Sequence, residues 1–366
     1  MRNKKNLKTL LSITGILILL LIVASIFVIG MEKKDRIRVG FVMTGSRDEQ
    51  GWNRLHYEGI LDVCEEVDAE LIVKENVREN TGECEQAIRD LAGEDTDVII
   101  LSSYGYAKEV LDVVEEYPEI AFYSEAFDYT TTNMKSYFAR MYQARYLTGI
   151  VAGMYTESNS IGYIAAMPNN EVNRGINAFT LGVQSVNPDA KVIVAWSNSW
   201  DDPGKEKELA TKLITQENID VVTYHQNQPN VVEVAEEYEI ASIGYHEAEK
   251  SFSDNLLTAA VFNWGPVYEE IILDFIRGKS EVVDTYWVGI ERGAIGLSEY
   301  SAKVSQDIKE EVERAIERMK NGVHVFSGDI WDTDGKRRCA DGENISDDVL
   351  LTDFNWYVKG VDFYEE

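Results

Sequence analysis

The stretch Gly175–Leu209, GINAFTLGVQSVNPDAKVIVAWSNSWDDPGKEKEL, carries one full unit of the fold. Its first residues have the spacing of a helix, Asn187-Pro188 makes a turn, and Lys191–Trp196 is a short apolar strand. The strand runs into the polar-aromatic loop Ser197-Asn198-Ser199-Trp200-Asp201. A new helix then starts with Asp202 as N-cap and Pro203 at its first position, where a missing N–H leaves nothing unpaired. A strand feeding a helix through a loop with an amide, a hydroxyl and an indole is where open α/β sheets bind ligands. Trp200 reads either as a ligand contact or as a partly buried loop aromatic.

The same unit recurs on both sides. Strands at Ile37–Met43, Glu70–Lys74, Val98–Leu101 and Ile120–Tyr123 alternate with helices to about Val67, over 81–91 and over Ala107–Tyr117. Tyr137–Arg140 is one more strand. The helix Tyr142–Tyr155 (YQARYLTGIVAGMY) then carries small residues at helical spacing for close packing. After the polar break Glu157–Ser160 the alternation restarts. Strands at Ile161–Ala166, Lys191–Trp196, Val221–His225 and Ala241–Tyr245 are spaced by helices at about 170–186, 203–217 and Val231–Tyr238. Leu256–Phe262 is a further strand before the helix Val267–Arg277. Short apolar strands alternating with helices predict parallel sheets covered on both faces, here in two doubly wound lobes. Lobe 1 is expected over 37–155 and about 264–300, lobe 2 over 156–263 and about 301–366. Gln306–Met319 is a charged amphipathic helix, and the order of elements past Asp329 is not legible.

The chain has 366 residues, 45% hydrophobic and 27% charged, enough for two lobes with a sizeable core. A net charge of −29 repels a phosphate backbone and argues against nucleic-acid binding. The cysteines Cys64, Cys84 and Cys339 lack metal-site spacing, and Cys64 reads as core, with a Cys64–Cys84 bridge left open. His56, His225, His246 and His324 form no paired-ligand motif, so neither a catalytic metal nor a cofactor is expected. A basic cytoplasmic end over residues 1–8 precedes an apolar run without charge from Leu10 to Met31. At 1.5 Å per residue that run spans about 33 Å, enough to cross a bilayer core. An uncleaved transmembrane anchor over 9–31 is therefore expected, with the body outside the cytoplasm at the cell membrane. Val23-Ala24-Ser25 leaves cleavage as the other reading.

Ligand groups of doubly wound lobes sit at the carboxyl ends of the strands. In lobe 1 these ends bring Trp52 and Asn53, then Ser103 and Tyr104, then Glu125. In lobe 2 they bring Asn169–Arg174, Asn198 and Trp200, His225 to Asn227, Tyr245-His246, and Asn263-Trp264. Aromatic faces stack on planar rings at about 1–3 kcal/mol each, and side-chain amides offer a donor beside an acceptor. Some members have a packing role as their other reading. Trp264 can cover a helix start, Tyr104 can be mere lining, and His225 and Arg174 read as structural partners. Glu125 is the functional choice, since a strand-end carboxylate is costly to bury unpaired. The sequence holds no GxSxG, GxxxxGK[ST] or GxGxxG, so a catalytic reading is weaker than a binding one.

The segments GFVMTGSRDEQGWNRLHYEG, ARYLTGIVAGM, AAMPNNEVNRGINAF, GINAFTLGVQSVNPDAKVIVAW, the NSW loop and FNWGPVYEEII together resemble the basic membrane protein family, over roughly residues 37 to 290. These are type I substrate-binding proteins of ABC transporters that capture purine bases or nucleosides. The resemblance implies a type I periplasmic-binding-protein fold, no catalysis, a permease as partner and a monomeric receptor. It also implies Trp52 as the stacking aromatic, Asn53 as its amide neighbour and Glu125 as a reader of the ring. Asn198, Trp200, Asn263 and Trp264 are the second lobe's contacts. Two aspartates common in the family are replaced, in the segment Tyr224–Gln228 and at Phe262, which favours a free base or a modified purine over a nucleoside. A membrane-bound ligand sensor is the alternative within the binding class, and a nucleoside hydrolase the alternative outside it.

Overall fold

The computed structural model describes residues 36–49, 51–246, 253–279 and 284–365. The expected basic end and anchor, residues 1–31, lie outside the described residues. Among the described residues no helix is long and apolar enough to cross a membrane.

The first series runs β1 (Arg38–Val42), α1 (Trp52–Glu66), β2 (Glu70–Lys74), α2 (Glu83–Ala92) and β3 (Val98–Leu101). The short helices α3 (Tyr106–Glu109) and α4 (Leu111–Glu115) lead to β4 (Ala121–Ser124), β5 (Met134–Ala139) and α5 (Met141–Tyr155). The second series runs β6 (Ser160–Ala165), α6 (Asn170–Val186), β7 (Lys191–Trp196), α7 (Pro203–Gln216) and β8 (Val221–His225). It continues through α8 (Asn230–Glu237), β9 (Ala241–His246) and β10 (Leu256–Phe262). Then come α9 (Gly265–Ile276), β11 (Thr285–Val288), β12 (Ile295–Leu297) and α10 (Gln306–Lys320). The tail holds β13 (Ile330–Trp331), β14 (Arg337–Cys339), α11 (Asp347–Thr352) and β15 (Val361–Phe363).

Two sheets result. One has the order β11-β5-β4-β3-β1-β2, the other β12-β10-β9-β8-β6-β7-β15. All pairings in the first are parallel, and in the second only β12 runs antiparallel, against β10. In each sheet the strand order reverses beside the first strand of its series, β1 or β6. That leaves a crevice at the strand carboxyl ends. β3 reads VIIL and is buried at every position, as a strand covered by helices on both faces must be. Asp202 caps α7, its side chain accepting from the Lys205 N–H at 3.0 Å, with Pro203 at the first position.

The boundaries between lobes differ from the sequence expectation. α5 lies along α6 and against β10, so the chain leaves the first sheet at Arg140 and not after 155. The reason is its small face. A Cβ on Gly149 would lie 2.1 Å from Phe179 O, and one on Gly182 2.0 Å from Tyr146 O, so the two helices touch backbone to backbone. β12 pairs with β10, so the last crossing falls between β11 and β12, before the expected 300. All three cysteines are free and buried. Cys64 and Cys84 sit in separate apolar clusters, so the bridge left open by the sequence is not formed. The tail is built into lobe 2, where β15 extends the sheet beside β7.

Candidate functional site

A cavity of about 610 Å³ lies between the two lobes, a size common for small-ligand sites. Its first wall is aromatic. Trp52, the first residue of α1, is locked because its indole Nε1 donates to Ser102 O at 3.0 Å. Behind it stand His56 at 4.4 Å and Phe262 and Trp264 edge-on at 5.6 and 5.4 Å. Phe127 and Phe138 extend the same wall. Ser103 and Tyr104 line the rim, with Tyr104 55% exposed and its hydroxyl donating to Asp128 Oδ2 at 3.1 Å.

Glu125 follows β4 and faces the cavity with only 3% of its surface exposed. Its Oε1 lies 3.3 Å from the Tyr137 hydroxyl and 3.3 Å from His56 Nε2. Tyr268 closes the cluster, meeting the Tyr137 hydroxyl at 3.4 Å and also hydrogen-bonding His56 Nδ1. Burial pushes the Glu125 carboxyl well above its ordinary range, only partly offset by Tyr137, and burial pushes His56 well below its own. Burial thus favours the neutral form of both groups, and a protonated carboxyl offers a donor and an acceptor side by side.

The second wall comes from the starts of α6 and the ends of β7, β8 and β9. Trp200 stands edge-on to His225 at 6.0 Å. His225 Nε2 lies 3.2 Å from Glu171 Oε1 and 2.8 Å from the Tyr245 hydroxyl. Burial works to raise the Glu171 carboxyl, but His225 and Arg174 outweigh it and hold Glu171 ionised below its ordinary value. His246 ends β9 in a left-handed conformation (φ 70°), unusual for a residue other than glycine. It is 5% exposed, lines the cavity, and among the described residues its Nδ1 has no hydrogen-bond partner. Burial lowers its pKa to about 3, so it presents a neutral ring.

Of the residues expected from sequence, Trp52, Ser103, Tyr104, Glu125, Trp200, Asn227 and Tyr245 line this cavity. Asn53, Asn198, Asn263 and Trp264 do not. The Asn53 amide is spent on its own loop, accepting from Thr44 Oγ1 at 3.2 Å and donating to Glu49. Asn198 is exposed at the loop's left-handed turn (φ 57°). Asn263 ties two lobe crossings together, donating to Gly293 O at 3.1 Å. Trp264 is 1% exposed and stacks on His56 at 3.9 Å and on Phe262 at 4.8 Å, so it supports Trp52 from behind. His225 and Arg174, read as structural, reach the wall, while Glu79, Phe127, Asp128, Phe138 and Leu351 were not singled out at all. A hint existed for two of them, since Phe127 and Asp128 come within three residues of Glu125, just past the end of β4.

The site is thus a cleft between two doubly wound lobes, walled by aromatics and by buried acid and imidazole groups. The family model described as ABC transporter substrate-binding protein, PnrA-like, covers residues 36–327. This chain belongs to that Bmp family. A purine-binding protein of Brucella abortus is 33% identical over 333 residues, which is 90% of this chain and 94% of the relative. A putative ABC transporter glucose-binding protein of Haloferax volcanii is 32% identical over 336 residues, 91% and 82% of the two chains. The solved solute-binding protein of an ABC transporter system from Conexibacter woesei superposes with a TM-score of 0.64 at 18% identity. It covers 78% of this chain and 97% of its own, a likeness of fold. As a Bmp-family member the chain is a solute-binding receptor of an ABC transporter and not an enzyme. Such receptors work outside the cytoplasm with a membrane permease as partner.

Proposed function

We propose that this receptor captures a purine base between its lobes and presents it to an ABC permease, held at the membrane by residues 9–31. The observation that carries the ligand class is the buried Glu125 carboxyl and the His246 Nδ1, without a hydrogen-bond partner among the described residues, both lining the cavity beside the Trp52 indole. A flat heterocycle with ring N–H donors and ring nitrogen acceptors satisfies both groups, and the indole adds stacking. The likeness to the Brucella abortus purine-binding protein supports the same reading. The other wall carboxylates are already engaged. Glu79 accepts from Gly105 N at 3.0 Å, Asp128 from Tyr104, and Glu171 sits against His225. Phe262, which stands where the family commonly carries an aspartate, is buried among aromatics.

A second reading comes from those same carboxylates. Glu79, Asp128 and Glu171 could turn to the hydroxyls of a nucleoside's ribose or of a hexose, and one relative is named for glucose. Calorimetry with adenine, guanine, adenosine, guanosine and glucose separates the readings. Adenine or guanine should bind most tightly. If glucose or a nucleoside wins, the second reading stands, and if nothing binds below about 1 mM both are wrong.

A further inference from the structure

The family match ends at residue 327, yet the segment beyond it reaches the cavity. Leu351 of α11 is part of the wall. The Leu350 carbonyl accepts from Arg174 Nη1 at 2.6 Å, and Arg174, 3% exposed, is itself a wall residue. The segment is fixed to α6 through three asparagines spaced to share one helix face, Asn170, Asn173 and Asn177. Asn170 Nδ2 donates to Leu351 O at 3.1 Å and its Oδ1 accepts from Phe354 N at 3.0 Å. Asn173 Nδ2 donates to Phe354 O at 3.0 Å, and Asn177 Nδ2 to Trp356 O at 2.8 Å.

The start of α11 is tied elsewhere. Asp347 Oδ1 accepts from Arg140 Nη1 at 2.8 Å, and the second oxygen pairs with Nη2, giving a two-pronged ion pair. Arg140 is the residue where the chain leaves the first sheet, and its guanidinium lies 4.1 Å over the Trp287 ring of β11. Its Nε donates to Trp287 O at 2.9 Å. One short helix is thus pinned at one end to a lobe crossing and at the other to the wall of the cavity.

We infer that the segment Asp347–Leu351 is a specificity-determining part of the binding site. Leu351 sets the width of the cavity beside Glu171 and Arg174, and the Asp347–Arg140 pair holds it at that depth. This rests on the cavity being where the ligand binds. It makes ligand size depend on a stretch outside the family match, so relatives that share the aromatic wall can differ in whether a ribosyl group fits.

The test is calorimetry on the full chain in detergent, with adenine and adenosine as probes, for Leu351→Ala, Leu351→Trp and Asp347→Asn. Leu351→Ala should raise the adenosine-to-adenine affinity ratio by about tenfold, the scale on which a pocket reads a few methylenes. Leu351→Trp should weaken both probes by about tenfold or more. Asp347→Asn should shift the ratio in the same direction as Leu351→Ala, by less. Wild-type affinities in Leu351→Ala and Leu351→Trp proteins that melt like the parent overturn the inference. If the parent binds neither probe, the purine reading fails separately, and hydrogen exchange on the ligand-free Asp347→Asn variant decides. Faster exchange over 169–174 upholds the tie between segment and wall, and unchanged exchange there overturns it.

Discussion

Glu125 and His246 are the residues whose protonation decides what the cavity can hold. Glu125 is raised by burial, so it stays protonated from acid pH up to a folded value well above the ordinary carboxyl range. If its proton is donated to the ligand, affinity is flat on the acid side and falls as pH rises through that value. Glu125→Gln keeps a donor and an acceptor without the titration, so it should bind within a few-fold of the parent and lose that fall. Glu125→Ala should bind far worse. Calorimetry over a rising pH series reads all three, and a fall that survives in Glu125→Gln assigns it to another group. His246 gives the opposite sign for stability. Its folded pKa of about 3 lies below the unfolded 6.5, so the unfolded chain takes up the proton first. Stability is then lost as pH falls from 6.5 toward 3, by up to about 1.4 kcal/mol per pH unit for one such group. Urea unfolding at pH 7, 6, 5 and 4 should show a shallower acid slope in His246→Gln. Glu125 was legible in the sequence because it is the residue next after β4, at the carboxyl end where the crevice lies, and Trp52 because it opens the helix that follows β1. Trp264 was not, since an indole that stacks on a ligand and one that stacks on His56 carry the same local pattern.

At the scale of elements, the contact that organises the second lobe is α5 on α6. The run of small residues in Tyr142–Tyr155 announced close packing, and the backbone approach at Gly149 and Gly182 is what it serves. Gly149→Ala places a methyl against the Phe179 carbonyl and must push the helices apart, at a cost of about 1–3 kcal/mol or more. Urea unfolding should show a lower midpoint with an unchanged slope. A similar argument holds for Asn177, whose amide serves both Trp356 O and Val358 N. Asn177→Ala leaves two buried backbone groups unpaired, about 1–3 kcal/mol each, and hydrogen exchange should rise first around 356–358. The strands and helices up to Phe262 were readable because hydrophobic runs and caps fix them locally. The tail was not readable. Its strands have only two or three residues, and they form because distant partners such as β7 and the asparagine face of α6 exist to receive them.

For the whole molecule, the restart of the alternation after residue 157 made two lobes visible in the sequence. The points where the chain crosses between them were hidden, because a helix that leaves with the second lobe looks the same as one that stays with the first. Those crossings matter for function. Trp52 stands on one lobe and Trp200 on the other, so a ligand touching both favours the arrangement in which the lobes are close. Each of Trp52→Ala and Trp200→Ala should weaken binding by about 1–3 kcal/mol. The double variant distinguishes two ways of losing that energy. If the ligand bridges the lobes, the first substitution already removes the advantage of closure. The second then costs less than it does alone, and the cycle shows an interaction energy of about 0.5–3 kcal/mol. If the ligand rests on one lobe, the indole of the other lobe contributes nothing and its single variant binds like the parent. Calorimetry on the four proteins with the tightest purine measures the cycle, and strict additivity of two large losses would separate binding from closure.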